Sequence, residues 1–222
     1  MNIQTRQLLA ALAATTLLAA CGGGGGSDPT PTPVIPPPAA LPPQVTMTFS
    51  NGAGVNGSIV ITLEDAKSPV TVANFLSYVA AGFYTGTVIH RNSPNFVLQG
   101  GGFAGPLVAG GAIPTGKTTN APITLEDNAG LSNLRLTVAM ARTSVADSAT
   151  SQFFINLANN TFLDRTPTAR GYAVLGTVTS GADLITTMAA APCATWPAWS
   201  AIPPGDCLPS PNITITSATR TR

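Results

Sequence analysis

The sequence predicts a mainly β domain, a barrel or a sandwich, and two observations carry that prediction. Short runs rich in β-branched and aromatic residues recur between clusters of Gly, Pro and Asn, and each reads as a strand. Only two stretches show a helical repeat, too few for the alternating strands and helices of a βαβ wind. The 222 residues, 44% hydrophobic and 9% charged, allow one domain of comfortable size plus extras. No internal repeat is visible.

Ahead of that domain, residues 1–20 read as an export signal. Arg6 gives a modest positive start, and Leu8 to Ala20 is an apolar run of signal-peptide length. An ordinary transmembrane helix needs about 20 apolar residues, so this run is too short. It ends Leu18-Ala19-Ala20-Cys21, which resembles the bacterial lipobox. The resemblance implies cleavage before Cys21 and lipid on its sulfur; ordinary cleavage after Ala20, leaving a free thiol, is the alternative. Several acyl chains would anchor the protein stably where one would not. Residues 21–43 continue with five glycines and a Pro/Thr-rich tract. They have almost nothing to bury, so they form a tether, flexible at the glycines and extended at the prolines. No Gly-Lys-Ser/Thr follows the glycines, which excludes a phosphate loop.

The domain itself runs from residue 44 to 222. Val45 to Phe49 alternates apolar and polar, Ser58 to Leu63 is β-branched, and the Asn/Gly-rich stretch between them is a turn signal. A hairpin opens the fold. A helix follows: Ser68 can cap it, Pro69 takes the favoured first position and Gly82 can close it. Val72, Phe75, Leu76 and Val79 make one core-facing stripe.

Val88 to Phe103 then sets the only histidine, His90, beside Arg91. Val88-Ile89 and Phe96-Val97-Leu98 read as strands, with Pro94-Asn95 as the turn between them. Arg91 is thereby held near a hydrophobic floor, with the Gln99 amide in reach. Such an arrangement suits holding a peptide and perturbing an amide, and it is badly equipped for covalent attack.

A glycine-rich loop continues to about Ala121, followed by strands around Leu134–Ala141, Ser151–Asn156 and Tyr172–Val178. Ala182–Ala189 is a short second helix and Asn212–Thr216 a closing strand. Before that strand lies a segment with Cys193, Trp196, Trp199 and Cys207. In an oxidising periplasm two cysteines within one segment read as a disulfide, worth about 3 kcal/mol in the chain-entropy model. A metal site is the rival, but one histidine and two distant thiols make a poor ligand set.

Several chemistries drop out. Charge is nearly balanced, 10 Lys+Arg against 9 Asp+Glu, with no basic run, so nucleic acid is not an expected partner. There is no Gly-x-Ser-x-Gly and no His-Glu-x-x-His, which leaves neither a serine triad nor a metal hydrolase. Gly100 to Gly105 fits Gly-x-Gly-x-x-Gly, yet Pro106 follows and no helix opens. Those glycines read instead as a loop needing unusual backbone angles. Glu64-Asp65 and Glu126-Asp127 are paired acids of the kind usually solvated in turns. No metal and no cofactor is expected.

The remaining motifs resemble one family. Pro69 to Leu76, Gly82 to Thr87, His90-Arg91, Phe96 to Phe103, Val138 to Thr143, Asp147 to Asn156, Phe162 to Asp164 and Gly171 to Gly176 follow cyclophilin order. They look most like the short bacterial peptidyl-prolyl isomerases, from about Val45 to the C-terminus. The resemblance implies a closed eight-stranded antiparallel β-barrel capped by two α-helices, and cis/trans isomerisation of X–Pro bonds. It makes Arg91 the catalytic arginine, with Phe96 and Gln99 beside it. Phe96, Val97, Phe154 and Leu163 would line the proline pocket, with Phe162 and Tyr172 at its rim. Gln99, Ala141, Arg142 and Gln152 would hold the peptide backbone. Asn92-Ser93 stands where the family commonly has an apolar pair, and Asn95 where it has glycine.

From pattern alone the same residues have plainer readings. Phe96, Phe154 and Phe162 read as core, His90 as a satisfied structural histidine, Gln152 as strand pairing and Arg91 as a surface arginine. The physical case for catalysis starts from the amide barrier of about 18–20 kcal/mol. When the amide twists, its nitrogen regains a lone pair that a preorganised guanidinium can hydrogen-bond. An interaction made only in the twisted state lowers the barrier rather than tightening binding.

The expected protein is thus a monomeric, lipid-anchored isomerase of the bacterial envelope. It would act on proline-containing peptides and unfolded exported proteins. Gly22 after the cysteine lacks the aspartate that often retains lipoproteins in the inner membrane, which favours the outer one. The alternative is a non-catalytic chaperone or adaptor that binds Pro-containing segments.

Overall fold

The computed structural model describes residues 40–112, 114–194 and 205–222. The segments expected to be an export signal and a tether, including Cys21, lie almost wholly outside the described residues, as do Trp196 and Trp199. Ala40–Arg222 form one unit.

The opening hairpin pairs β1 (Gln44–Ser50) with β2 (Asn56–Leu63). Alternate residues, Val45, Met47 and Phe49 on one strand and Ile59, Ile61 and Leu63 on the other, are buried on one face. Asn51 shapes the turn by accepting hydrogen bonds from the N–H groups of Ala53 and Val55.

Helix α1 (Pro69–Ala80) buries Val72, Phe75 and Val79 as its stripe predicts. Its C-terminus closes on Gly82, at φ 63°, with Gly82 N–H bonded to Val79 and Phe83 N–H to Tyr78. The N-terminus is built differently from the expectation. Ser68 makes no cap; its hydroxyl donates to the Val174 carbonyl in the core. Glu126 caps the helix from across the chain, its carboxylate accepting from the N–H groups of Val70 (3.2 Å) and Thr71 (2.7 Å).

The remaining strands are β3 (Thr87–Ser93), β4 (Val97–Ala104), β5 (Thr137–Met140), β6 (Phe153–Asn156), β7 (Val174–Ser180), β8 (Cys193–Ala194), β9 (Leu208–Pro209) and β10 (Ile213–Arg220). Eight of them close into a barrel in the order β1-β10-β3-β4-β6-β5-β7-β2, with every pair antiparallel. Closure decides between barrel and sandwich and leaves the barrel without a free edge. The short strands β8 and β9 form a separate pair. Helix α1 packs on β10 and β7, and α2 (Ala182–Ala189) packs on β2 through buried Ile185 and Met188.

Two local expectations need correcting. Gly100, Gly101 and Gly102 do not form a loop; they lie within β4. Gly101 needs its glycine for φ 82°, whereas Gly100 and Gly102 are needed for space, since a Cβ would meet Ile89 at 2.7 Å and Gln152 at 2.6 Å. The strand expected from Tyr172 starts at Val174, because Tyr172 N–H bonds the Leu163 carbonyl instead of a barrel neighbour.

Candidate active site

Strand alternation separates two apolar clusters on the two faces of one sheet. Leu98, Val138, Met140, Phe153 and Ile155 point into the main core. Their chain neighbours Val97, Ala139 and Phe154 join Val174 in a second cluster, flanked by Phe96, Ala141, Leu163 and Tyr172. Register aligns Arg91 with Gln99, Gln99 with Phe154, Phe154 with Ala139 and Ala139 with Val174, a row across five strands. An irregularity in the β3–β4 pairing around His90 sets Arg91 into that row.

A cavity of about 240 Å³ opens over this row. Its lining is Arg91, Phe96, Val97, Gln99, Ala141, Arg142, Phe154, Leu163 and Tyr172. That is below the ~300–1,000 Å³ of clefts that take drug-sized ligands, and suits one side chain better than a cofactor. The lining holds no serine, cysteine, histidine or carboxylate among the described residues, so it offers no hydroxyl–histidine or thiolate nucleophile and no metal ligand set. Gln152 lies in the adjoining groove with Gln99, Arg142, Thr143, Ser148 and Thr150. Phe162 is 70% exposed and stacks on Phe96 at 5.6 Å between ring centroids, which places it at the rim.

The polar groups form a chain. Arg91 Nη1 donates to Gln99 Oε1 at 3.2 Å, and Gln99 Nε2 donates to Gln152 Oε1 at 2.9 Å. Arg91 also lies 5.5 Å from the centre of the Phe96 ring. Arg142 differs from an open peptide-binding arginine. Its guanidinium donates to the carbonyls of Thr143, Arg170 and Gly171 and lies over the Tyr172 ring at 4.6 Å. It fixes the Tyr172 wall of the cavity.

Each wall has its own support. Asn95 adopts φ 57°, the left-handed conformation asparagine tolerates, and turns the chain so that Phe96 reaches the cavity. Asn160 Nδ2 donates to the Phe96 carbonyl at 2.9 Å and to Asn156 Oδ1 at 2.7 Å. Asp164 accepts from Ser132 and from both nitrogens of Asn133, which anchors the 3₁₀ turn Thr161–Leu163. Burial opposes ionisation of that carboxyl, but these hydrogen bonds win and hold it below its ordinary value.

Asp127 corrects the reading of Glu126-Asp127 as a solvated pair. It is buried, takes two hydrogen bonds from Arg170 (2.8 and 2.9 Å), and accepts from Arg165 and the Gly171 N–H. The Arg170 hydrogen bond, above all, holds its carboxyl well below the usual range. Asp127 thereby pins the loop that carries Tyr172. Its partners are about 40 residues away in sequence, which is why local pattern misses it.

His90 is 3% exposed and packs edge-on against Phe103. Burial, reinforced by the charge of Arg91, lowers its pKa to about 3, so it stays neutral and takes no acid–base part near neutrality. Asn92 and Ser93 are buried too. The main chain of Asn92 exchanges hydrogen bonds with Cys207, and its side chain donates to the Ala189 carbonyl. Cys193 and Cys207 are joined, their sulfurs 2.11 Å apart.

The outer face of the barrel thus bears a cavity sized for one side chain, with an apolar floor and a glutamine-braced guanidinium beside it. The chain belongs to the cyclophilin family: the family described as cyclophilin type peptidyl-prolyl cis-trans isomerase/CLD matches residues 45–220. It is 50% identical over 128 residues to peptidyl-prolyl cis-trans isomerase A of Dickeya dadantii, covering 58% of this chain and 64% of that relative's length. It is 49% identical over 140 residues to a peptidyl-prolyl cis-trans isomerase of Acinetobacter baylyi, covering 63% of this chain and 71% of the relative. A Cryptosporidium parvum cyclophilin type peptidyl-prolyl cis-trans isomerase, solved in the presence of the dipeptide Ala-Pro, has the same fold. Its TM-score is 0.61 at 20% identity, covering 81% of this chain and 99% of that one.

Proposed function

We propose that this barrel accelerates rotation about X–Pro bonds in exported proteins by a non-covalent route through Arg91. The carrying observation is the guanidinium held beside the apolar cavity, with Gln99 fixing one end and no serine, cysteine or carboxylate in the lining. The family of isomerases to which the chain belongs supports the same reaction.

In this reading the proline ring rests on Phe96, Val97, Phe154 and Leu163, and Gln99, Ala141 and Gln152 meet the flanking backbone. As the amide twists, an N–H of Arg91 takes up the developing lone pair on nitrogen. The ground-state amide nitrogen offers no such acceptor, so the contact falls on the transition state. Each ~1.4 kcal/mol gained there is worth roughly tenfold in rate. An apolar floor that sheds water as the proline ring seats would strengthen that hydrogen bond. A proline-containing peptide, like the Ala-Pro present with the Cryptosporidium protein, is the substrate class.

The export signal, the lipobox-like Cys21 and the Gly/Pro tether lead us to place this activity at the bacterial envelope, on a lipid anchor. The full chain in detergent should speed the cis–trans exchange of a short X–Pro peptide measured by NMR. A folded protein that binds the peptide without speeding exchange would support the adaptor reading instead.

A further inference from the structure

Among the described residues of the Cys193–Cys207 segment, Asp206 touches the candidate site. Its Oδ2 accepts from Arg91 Nε at 2.5 Å, and the two side chains are only 7% and 17% exposed. An arginine offers five N–H donors in a rigid plane. Asp206 holds Nε and Gln99 holds Nη1, so two fixed acceptors define the plane and leave the remaining donors for a substrate.

Three ties keep Asp206 there. It precedes Cys207, whose N–H and C=O both pair with the main chain of Asn92, the residue after Arg91. Cys207 is cross-linked to Cys193. Asn92 Nδ2 bonds the Ala189 carbonyl and lies 3.7 Å from Cys193 Sγ, so Asn92 meets both ends of the cross-linked segment, Cys193 through its side chain and Cys207 through its main chain.

We propose that Asp206 is a positioning residue for Arg91, and that the Cys193–Cys207 cross-link keeps it in place. The inference rests on the reading of Arg91 as the group that meets the twisted amide. Two effects compete. A carboxylate on Nε removes the freedom of a long side chain, so less reorganisation is needed as the amide twists. It also offsets part of the guanidinium charge. Positioning dominates, because the twisted nitrogen needs one aimed donor more than it needs net charge.

Substitution separates the two effects. Asp206→Ala should lower kcat/KM about tenfold, with the loss in kcat and little change in KM, because the contact it supports exists only in the transition state. Asp206→Asn keeps an acceptor without the charge and should stay within about threefold of wild type. Faster exchange in both variants would show that charge offset dominates and would overturn the proposal. The Arg91 Nε–H resonance in full-length protein should be slow to exchange in wild type and lost in Asp206→Ala; an unchanged resonance would also overturn it. In the Cys193→Ser/Cys207→Ser variant, folded by near-ultraviolet circular dichroism, the resonance should weaken and kcat fall in the same direction. An unchanged double variant would remove the cross-link from the account.

Adding Asp206→Ala to Arg91→Ala should cost nothing further, since both act through one group. A full additional loss would mean that Asp206 acts elsewhere. Should Arg91→Ala itself keep the wild-type rate, the function proposed for Arg91 fails, and the Nε–H measurement still tests the positioning on its own.

Discussion

Phe153 and Phe154 are adjacent in β6 and serve opposite faces of the barrel wall. Phe153 is fully buried against Phe75 and Tyr84 in the main core, while Phe154 floors the outer cavity against Tyr172. A one-residue slip in that strand would exchange them. Phe153→Ala should therefore destabilise the fold by about 3–5 kcal/mol. Phe154→Ala should lose less stability and raise KM for proline peptides. Denaturant melts and exchange kinetics on both variants check the division. Equal losses of stability with an intact KM would contradict it.

Gly102 gives Gln152 its room. A Cβ there would meet the Gln152 side chain at 2.6 Å, and Gln152 is the far end of the chain that runs back to Arg91. Gly102→Ala should displace a flexible side chain and leave the backbone in place. The expected result is a several-fold loss in kcat/KM with stability changed by about 1 kcal/mol or less. A wild-type rate would mean that the Gln99–Gln152 contact is dispensable.

His90 governs a pH effect on stability. Its folded pKa is lowered to about 3, whereas an exposed histidine titrates near 6.5. Between those values the unfolded chain binds the extra proton, so stability falls as pH drops through 6.5 toward 3. The slope from one proton is at most about 1.4 kcal/mol per pH unit. His90→Gln should flatten the stability profile from pH 6.5 to about 5, a window above the range where the depressed Asp127 and Asp164 carboxyls begin to lose their own contribution. An unaltered slope would show that His90 is not the group responsible.

Glu126 caps α1 from outside the helix, so Glu126→Ala should cost about 1 kcal/mol. Ser68→Ala should act through its lost bond to the Val174 carbonyl. Pairing each with Thr71→Ala discriminates them in denaturant melts. Only Glu126 should couple to Thr71, whose hydroxyl also donates to it.

Much of this was legible in the sequence where a local pattern carries the information. The hairpin, the apolar stripe of α1, the limits of α2 and the Arg91-to-Gln99 stretch all follow from periodicity and turn residues. Periodicity also hides something. Phe153-Phe154 is a plain apolar run whose pattern alone reads as core; the family resemblance put Phe154 in the pocket, and pairing on both sides shows why that ring leaves the core. The glycines of β4 look like a loop because glycine is read first as freedom, while two of the three are there for space. Glu126, Asp127 and Asp206 were missed for a common reason. Each finds its partner through tertiary closure, across 55, 43 and 115 positions of chain. The adjacency of Asp206 to Cys207, and Asn92 next to Arg91, were the signals that could have linked the cysteine segment to the site.

The most direct test of the central claim is the exchange rate of a bound X–Pro peptide in Arg91→Ala, set beside its affinity. If Arg91 meets only the twisted amide, kcat should fall by about a hundredfold or more while the peptide still binds within a few-fold of wild type. A variant that exchanges the peptide at the wild-type rate would contradict the account.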